Sequence, residues 1–263
     1  MSEALRRQHA DELFQALSQG CTLAPLTERW PAISIEDAYH ISRQIVERRV
    51  AGGSAIVGKK IGVTSKAVQD MLGVHQPDFG FLTRDMWFDN GAEISLSANR
   101  LIQPRAEGEI AFQLKHDLCG PGVTEADVLA ATECVMACFE IVDSRIHDWN
   151  IAIQDTVADN ASCGVFVLGA ERVDPRSLDL PSLHMRVRKN GAPLSEGYGA
   201  AVQGNPLTAV AWLANTLGAF GIPFKAGEII LSGSLVPLEP ARAGDRFDLT
   251  IDGLGSAQVS FCA

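Results

Sequence analysis

Apolar residues recur at helical spacing in the first part of the chain. Residues 2–18 carry their apolar side chains on one side, with polar residues between them, which predicts an amphipathic helix. Ser34 and Asp37 have the spacing of a capping box and mark the start of a second helix. The apolar stripe that follows ends at Gly52 and Gly53, which are typical helix stops. The sequence therefore begins with a predicted pair of helices.

From about residue 55 the pattern changes to short β-rich runs separated by turn signals. Asn190 and Gly191, for example, are a strong hairpin signal. Two further helices are predicted inside this region, one beginning at Thr124 and one at Asn205, where Pro206 takes the first helical position. The predicted strands are 55–64, 107–115, 135–143, 163–168, 183–189, 228–232 and 246–251.

The order of these elements favours one fold class. Strands and helices do not alternate regularly, so a doubly wound parallel sheet is disfavoured. We expect an α+β fold, with a helical N-terminal part at residues 1–54 and a β-rich catalytic domain at residues 55–263.

Composition excludes several classes of function. The 22 basic and 32 acidic residues give a formal charge of −10, and no basic stripe is present, so nucleic-acid binding is not expected. The N-terminal segment lacks the apolar core of a signal peptide, and no apolar run reaches the roughly 20 residues of a membrane span. We expect a cytoplasmic protein without membrane or nucleic-acid partners.

A pair of glutamates in one strand is the first sign of chemistry. Side chains alternate along a strand, so Arg105, Glu107 and Glu109 share one face of the segment "QPRAEGEIAF". Two like charges on one face repel, and burying both without a partner is costly. Solvent, Arg105 or a bound cation would each relieve this repulsion, and the segment alone leaves these three interpretations open.

A third carboxylate favours the cation. Glu140 lies in the otherwise apolar run 135–143, where a charge needs a partner. If that strand lies beside 107–115, the three glutamates form an all-oxygen site suited to Mg²⁺ or Mn²⁺. Asp143 is the rival third ligand, but alternation points it to the opposite face from Glu140.

Two adjacent lysines and a loop aspartate add candidate acid–base groups. Alternation places Lys60 with two glycines and Lys59 with apolar neighbours, so a ligand has room to approach Lys60. Both are equally well interpreted as surface lysines. Asp78 lies in the predicted loop 75–80 and is a candidate general acid or base if it lies near a cationic site.

Further polar or aromatic residues are candidates for substrate contacts. Ser162 ends the polar step 159–162, which is either a ligand-facing segment or a turn, and the turn is slightly favoured. Ser234 follows an apolar strand and is a candidate pocket residue. Phe79 either shapes a pocket or packs in the core, and Arg105 either neutralises the carboxylates, contacts a substrate carboxylate or pairs elsewhere.

Nearly the whole chain resembles the 2-hydroxypenta-2,4-dienoate hydratases, also called 2-keto-4-pentenoate or vinylpyruvate hydratases, of the fumarylacetoacetate hydrolase superfamily. The segments that carry this resemblance are "GKKIGVTSKAVQDMLGVHQPDFGFL", "LIQPRAEGEIAF", "VLAATECVMACFEIVDSRIHDW", "QDTVADNASCG" and "LSGSLVPLEP".

The resemblance implies a fold, a site and a reaction. It implies a mixed β-roll or sandwich preceded by a smaller helical part. It implies that Glu107, Glu109 and Glu140 bind Mg²⁺ or Mn²⁺, and that Lys60 and Asp78 are the catalytic residues. The implied reaction adds water to 2-hydroxypenta-2,4-dienoate to give 4-hydroxy-2-oxopentanoate, in a bacterial meta-cleavage pathway of aromatic or steroid degradation. Relatives of this kind form large homo-oligomers.

Two alternatives remain beside the hydratase. The 2-oxo-3-hexenedioate (4-oxalocrotonate) decarboxylases share the three glutamates, but the resemblance implies that they usually lack equivalents of Lys59 and Asp78, so this chain sides with the hydratases. The second alternative is a non-catalytic subunit that assembles with such a decarboxylase. An intact set of candidate site residues argues against that purely structural role.

Overall fold

Two N-terminal helices form as the sequence predicts. The computed structural model describes the backbone of residues 1–263 and every side chain except those of Ala67 and Met71. The capping box at the start of the second long helix is present, because Asp37 N donates to Ser34 Oγ at 3.0 Å and Ser34 N donates to Asp37 Oδ2 at 3.3 Å. The α-helices are α1 (Glu3–Gln19), α2 (Leu26–Arg29), α3 (Ile35–Ala51), α4 (Lys66–Leu72), α5 (Glu125–Ala131), α6 (Ile153–Ala158) and α7 (Pro206–Gly218).

The strands form two sheets. The strands are β1 (Ile56–Gly62), β2 (Asp78–Thr83), β3 (Trp87–Asp89), β4 (Ala92–Ser95), β5 (Arg105–Leu114), β6 (Thr132–Val142), β7 (Cys163–Leu168), β8 (His184–Lys189), β9 (Ala192–Tyr198), β10 (Ile229–Ser234), β11 (Glu239–Pro240), β12 (Arg246–Ile251) and β13 (Gly255–Cys262). The larger sheet is mixed, with strand order β2-β1-β10-β5-β6-β7-β3 and β11 paired to β5. The smaller sheet has the order β4-β13-β12-β8-β9. Helices and a mixed, layered β body confirm the predicted α+β fold.

The main hydrophobic core fills the space between the two sheets. Phe139 of β6 lies against Phe247 of β12, with ring centroids 6.2 Å apart. A second apolar cluster joins α1 and α3 to α6, through side chains such as Leu13, Ile41 and Val157. No described helix is both long and apolar enough to cross a bilayer.

The structure corrects one local prediction. Residues 75–80 do not form a loop throughout, because Asp78 begins strand β2 and pairs with Gly62 of β1. The sequence "DFGFLT" is buried at every position and so shows no polar–apolar alternation. Asp78 is therefore held by a strand, which fixes its position more firmly than a loop would.

Candidate functional site

Two central strands bring the three glutamates together. The antiparallel register pairs Glu107 of β5 with Glu140 of β6, and Glu109 with Cys138. Because side chains alternate, Glu107 and Glu109 extend from the same face of β5. One carboxylate oxygen from each of Glu107, Glu109 and Glu140 lies within 4.8 Å of the others. We call these three residues the carboxylate cluster.

Glu107 is partly buried, whereas the other two glutamates of the cluster are fully buried and short of hydrogen-bond partners. Glu109 and Glu140 are 0 % and 1 % exposed. Glu109 Oε2 accepts a hydrogen bond from Gly233 N at 2.9 Å, whereas Glu109 Oε1 and both oxygens of Glu140 have no hydrogen-bond partner among the described residues. Lys60 Nζ lies 3.3 Å from Glu140 Oε1 and provides one positive charge. Buried polar atoms are normally paired, so these oxygens point to a missing partner.

Electrostatics indicate what that partner is. Burial and the neighbouring Glu140 raise the pKa of Glu107 to about 8. Burial and the other two carboxylates raise the pKa of Glu109 well above its usual range. Burial also raises the pKa of Glu140, although Lys60 opposes this shift. Three ionised carboxylates are therefore disfavoured here without a cation, and an all-oxygen set of this kind fits a divalent metal ion.

Lys60 and Asp78 lie side by side next to the cluster. Gly62 pairs with Asp78 across β1 and β2, and Lys60 pairs with Gly80. A methyl group added at Gly62 would lie 2.3 Å from Asp78 Oδ1 and 3.2 Å from Lys60 Nζ. Both side chains thus occupy the space that the glycine leaves open. Asp78 is 2 % exposed, and its Oδ1 has no hydrogen-bond partner among the described residues.

The charges of these two residues are linked to the cluster. Burial alone would lower the pKa of Lys60, but Glu140, Asp78 and Glu107 raise it above its usual range. Burial raises the pKa of Asp78, and Lys60 opposes that shift. Lys60 is therefore a stable cation, and the raised pKa of Asp78 makes its carboxyl group a candidate for proton transfer.

Lys59 lies outside the site. Its ammonium group forms an ion pair with Glu228 and lies 5.3 Å from the centroid of the Phe224 ring. The alternation that separated Lys60 from Lys59 is confirmed, but neither lysine is a surface residue, since they are 4 % and 2 % exposed.

The predicted substrate-contact residues have varied surroundings. The Arg105 guanidinium lies 4.8 Å from the centroid of the Trp149 ring. The Phe79 ring stacks on Tyr39 with centroids 4.3 Å apart. Ser162 Oγ lies 3.0 Å from Thr156 Oγ1. Contacts of these side chains with a substrate stay predictions.

Ser234 is the last residue of β10 and pairs with Glu109 of β5. Its Oγ donates to Val236 O at 2.6 Å. That bond occupies its proton, so a contact with substrate would use the remaining acceptor capacity of the hydroxyl. Its role also stays a prediction.

The sequence interpretation missed two supports of the site. Asn160, in the turn after α6, bonds both backbone groups of Phe81 in β2, through Oδ1 at 2.9 Å and Nδ2 at 3.0 Å. The buried Arg145 donates from Nε to Asp159 Oδ1 at 2.6 Å and so ties that turn to the end of β6. The polar letters "DNAS" were the available signal; the segment does contain a short helical turn at Asn160–Ser162, and its contact with a ligand stays a prediction.

The chain matches known proteins over nearly its full length. A family model described as fumarylacetoacetate (FAA) hydrolase C-terminal matches residues 55–261. The chain is 66 % identical over 249 residues to a 2-hydroxyhexa-2,4-dienoate hydratase of Comamonas testosteroni, which covers 95 % of this chain and 94 % of that protein. It is 64 % identical over 222 residues to a 2-hydroxypent-2,4-dienoate hydratase of Pseudomonas putida, covering 84 % of this chain and 100 % of that one.

A solved structure is also similar. It is the 4-oxalocrotonate decarboxylase of Pseudomonas putida G7, complexed with magnesium and adipate. The TM-score is 0.95 at 34 % sequence identity, and the match covers 99 % of this chain and 98 % of that one.

Proposed function

This chain belongs to the fumarylacetoacetate hydrolase family, and from that premise we propose that it is a hydratase that adds water to 2-hydroxypenta-2,4-dienoate. The product is 4-hydroxy-2-oxopentanoate, formed in a meta-cleavage pathway of aromatic or steroid degradation. The enzyme is a hydro-lyase and depends on a divalent metal ion.

One observation supports this proposal most strongly. The carboxylate cluster, with oxygens within 4.8 Å of one another, lies beside a buried lysine and a buried carboxyl group. A 2-hydroxy acid offers a carboxylate and a 2-oxygen to such a site. Hydration then needs a group that moves protons farther along the substrate, and we assign this task to Asp78, which lies beside Lys60.

The binding residues have separate tasks. We assign Glu107, Glu109 and Glu140 as ligands of Mg²⁺ or Mn²⁺. Bound there, the cation would act as a Lewis acid toward the 2-oxygen of the substrate. Lys60 donates a hydrogen bond from Nζ to the 2-oxygen or the substrate carboxylate, which orients the acid end of the molecule.

Asp78 moves protons at the other end. The dienol loses its 2-hydroxyl proton and gains a proton at C5, which gives a 2-oxo-3-enoate with an electrophilic C4. Asp78 relays that proton through Oδ1. It then takes a proton from the water molecule that adds at C4, while C3 is protonated, so the sum of the steps is the addition of one water. The buried, unpartnered Oδ1 supports this role.

The decarboxylase is the second candidate, because a solved 4-oxalocrotonate decarboxylase shares 34 % identity and the same fold. It would release CO₂ from 2-oxo-3-hexenedioate. We further propose that the chain forms a homo-oligomer and an additional complex with a related decarboxylase.

Loss of the ultraviolet absorbance of the dienol tests the proposal directly. The purified chain is assayed with 2-hydroxypenta-2,4-dienoate after EDTA treatment and again after adding Mg²⁺ or Mn²⁺. Turnover that EDTA abolishes and metal restores supports the hydratase. Release of CO₂ from 2-oxo-3-hexenedioate, with no turnover of the dienoate, would identify the decarboxylase instead.

Metal titration tests the ligand assignment separately. Glu107→Ala removes one oxygen ligand and should weaken binding of Mn²⁺, measured by calorimetry. Glu133→Ala is a matched control, because Glu133 is an exposed glutamate of β6. Equal Mn²⁺ affinity in Glu107→Ala and the parent would show that the assignment is wrong.

A further inference from the structure

A cavity of about 660 Å³ lies between the C-terminal ends of α1 and α3, the turns after β2 and β4, and the start of β7. Its volume is within the range of small-molecule sites. Neither Asp78 nor the carboxylate cluster lines it, so it is separate from the candidate catalytic site. Although the chain has a formal charge of −10, the cavity is rich in arginine. The arginines that line it are Arg48, Arg49, Arg84, Arg100 and Arg145.

Two of these arginines lack a carboxylate partner. The three pairs that form are Arg48–Asp11, Arg49–Asp85 and Arg145–Asp159. The other two, Arg84 and Arg100, are exposed and form no ion pair among the residues that the structure describes. Asp143 also lines the cavity, but its carboxylate accepts hydrogen bonds from the backbone N–H groups of Ile102 and Gln103, at 3.0 and 2.7 Å. Two guanidinium charges at the wall of the cavity are therefore left without a counterion.

The donor groups of these arginines are free to bind an anion. The Arg84 guanidinium lies 4.8 Å from the centroid of the Trp87 ring, and stacking of this kind occupies the face of the guanidinium and leaves its N–H edge open. Arg100 lies in the turn after β4, where its backbone N–H donates to Ser97 O at 3.2 Å. Each guanidinium carries five N–H donors in a planar fork that matches a carboxylate or a phosphate.

A third arginine connects the cavity to the strand that carries Asp78. Arg49 Nη1 donates to Asp85 Oδ2 at 2.7 Å and to Thr83 Oγ1 at 3.2 Å, and Thr83 is the last residue of β2. Burial lowers the pKa of Arg49; Asp85 opposes this shift, and Arg145 adds to it. An anion in the cavity would reduce the repulsion between the two arginines and would compete with Thr83 for Arg49.

We propose that this cavity is an effector site for a small anion with two negative charges, a dicarboxylate or a phosphate, and that the bound anion lowers activity by drawing Arg49 away from the end of β2. Arg84 and Arg100 hold the anion, and two charges are needed because two guanidinium groups are unpaired. The binding site does not depend on the proposed hydratase function. Only the effect on activity is measured through that function.

Calorimetry of the Mg²⁺-loaded protein tests binding with inorganic phosphate, succinate and acetate. Ionic strength is held constant, because added salt screens exposed charges. We expect saturable binding of a dianion, about tenfold or more tighter than that of acetate. Tighter binding of phosphate would identify a phosphate ligand, and tighter binding of succinate a dicarboxylate. If neither dianion binds saturably, the proposal is wrong.

A double variant tests the location of the bound anion. Arg84→Gln combined with Arg100→Gln should weaken binding by about tenfold or more, because charge-assisted hydrogen bonds are lost. Arg7→Gln is the matched control, since Arg7 is an exposed arginine of α1 that does not line the cavity. Parental affinity in the double variant would place the anion elsewhere, for instance on the catalytic metal, and would overturn the proposal. If circular dichroism shows that the double variant is unfolded, Arg100→Gln alone makes the comparison.

Dienoate turnover tests the effector role. A saturating dianion should lower kcat of the parent by about fivefold, a modest coupling between two sites, and leave KM unchanged. The double variant should lose this inhibition, and Arg7→Gln should keep it. A rise in KM alone would indicate competition at the catalytic metal, and unchanged kcat with the dianion bound would contradict the effector role. A parent that turns over no dienoate would contradict the hydratase function, whereas the calorimetric test of the cavity would still decide whether the anion binds.

Discussion

At the residue scale, the geometry of the site depends on a glycine, Gly62, which has no side chain. Gly62 leaves the space in which Asp78 and Lys60 meet, because a methyl group there would lie 2.3 Å from Asp78 Oδ1. No real Cβ contact is that short, so any larger residue must displace the carboxyl group. The proposed catalytic geometry thus depends partly on a glycine to which no chemical role is assigned.

Gly62→Ala should therefore lower kcat by about 100-fold while leaving the fold intact, because a displacement of about 1 Å at a reacting group costs that much. The measurement is kcat for the dienoate, with thermal unfolding as the check on folding. Gly52→Ala is the control, since its added methyl contacts Arg49 O at 3.3 Å, away from the site. Unchanged kcat in Gly62→Ala would mean that Asp78 does not need its present position.

Asp78→Asn should lower kcat by about 10²–10⁴-fold, the usual contribution of a general acid or base. The amide keeps the shape of the side chain but carries no exchangeable carboxyl proton. Mn²⁺ affinity should stay close to that of the parent, because Asp78 is outside the carboxylate cluster. Near-parental turnover would remove Asp78 from the mechanism.

Prediction at the level of residues succeeded where the alternation of side chains along a strand determines the face on which each residue lies. Alternation correctly grouped Glu107 with Glu109 and separated Lys60 from Lys59, since it needs only neighbours in the chain. The pairing of Arg145 with Asp159 joins groups on different elements, so no local pattern announces it. The family resemblance of the quoted segments includes residues that local periodicity groups and residues that only the tertiary fold brings together. It therefore supplied predictions about tertiary contacts that periodicity cannot make.

At the element scale, β2 carries Asp78 at the edge of the larger sheet. Its outer side is not left open, because the Asn160 side chain bonds the N–H and C=O of Phe81. Asn160 has a φ of +54°, a region that asparagine tolerates better than most residues. The side-chain amide of Asn160 thus makes the hydrogen bonds that a further strand beside β2 would otherwise make to Phe81. The sequence did not predict this arrangement, because β2 is buried throughout and its covering group lies 79 residues away.

Asn160→Ala should destabilise the protein by roughly 2–4 kcal/mol, since it leaves two buried backbone groups unpaired. It should also lower kcat, because β2 positions Asp78. Urea unfolding and dienoate turnover measure the two effects.

Asn215→Ala is the matched control for that prediction. Asn215 bonds the N–H and C=O of Val123 in the same way, both at 2.8 Å, but away from the site. It should cost similar stability and leave kcat unchanged. An equal fall in kcat for both variants would show that the effect of Asn160 is not specific to β2.

At the scale of the whole molecule, the helical and β-rich parts share a core. The apolar cluster around α1 and α3 includes residues of α6, which lies in the second part of the chain. The division at residues 54 and 55 therefore stays a prediction about domains, although the helices before it form as expected. The homo-oligomer also stays a prediction, because a sequence pattern does not determine the number of subunits in an assembly.

The carboxylate cluster should make overall stability depend on pH and metal. The raised pKa values mean that the folded, metal-free protein binds more protons than the unfolded chain between about pH 4.5 and 8. Its free energy of unfolding should therefore fall as pH rises through this window, by up to about 1.4 kcal/mol per pH unit for each proton. Urea unfolding in EDTA at several pH values measures this fall.

Added Mg²⁺ and the variant Glu109→Gln provide the controls for the predicted pH dependence of the free energy of unfolding. Saturating Mg²⁺ should reduce the fall, because ligation keeps the carboxylates ionised at lower pH. Glu109→Gln, which cannot ionise, should also have a shallower pH dependence than the parent in EDTA. A parent whose stability in EDTA rises between pH 5 and 8, relative to Glu109→Gln, would contradict the assigned direction.

The adjacent lysines of β1 have a consequence for strand slippage. A slip by one residue would turn every side chain of β1 over, and in one direction it would bring Lys59 to the position of Lys60 beside the carboxylate cluster, so the charge at the cluster alone would not reject it. Gly58 does, because any side chain at its place would lie 1.9 Å from Ile229 O. Length changes are therefore barred within β1. Length changes should instead be tolerated in the exposed Gly52–Gly53 turn before it.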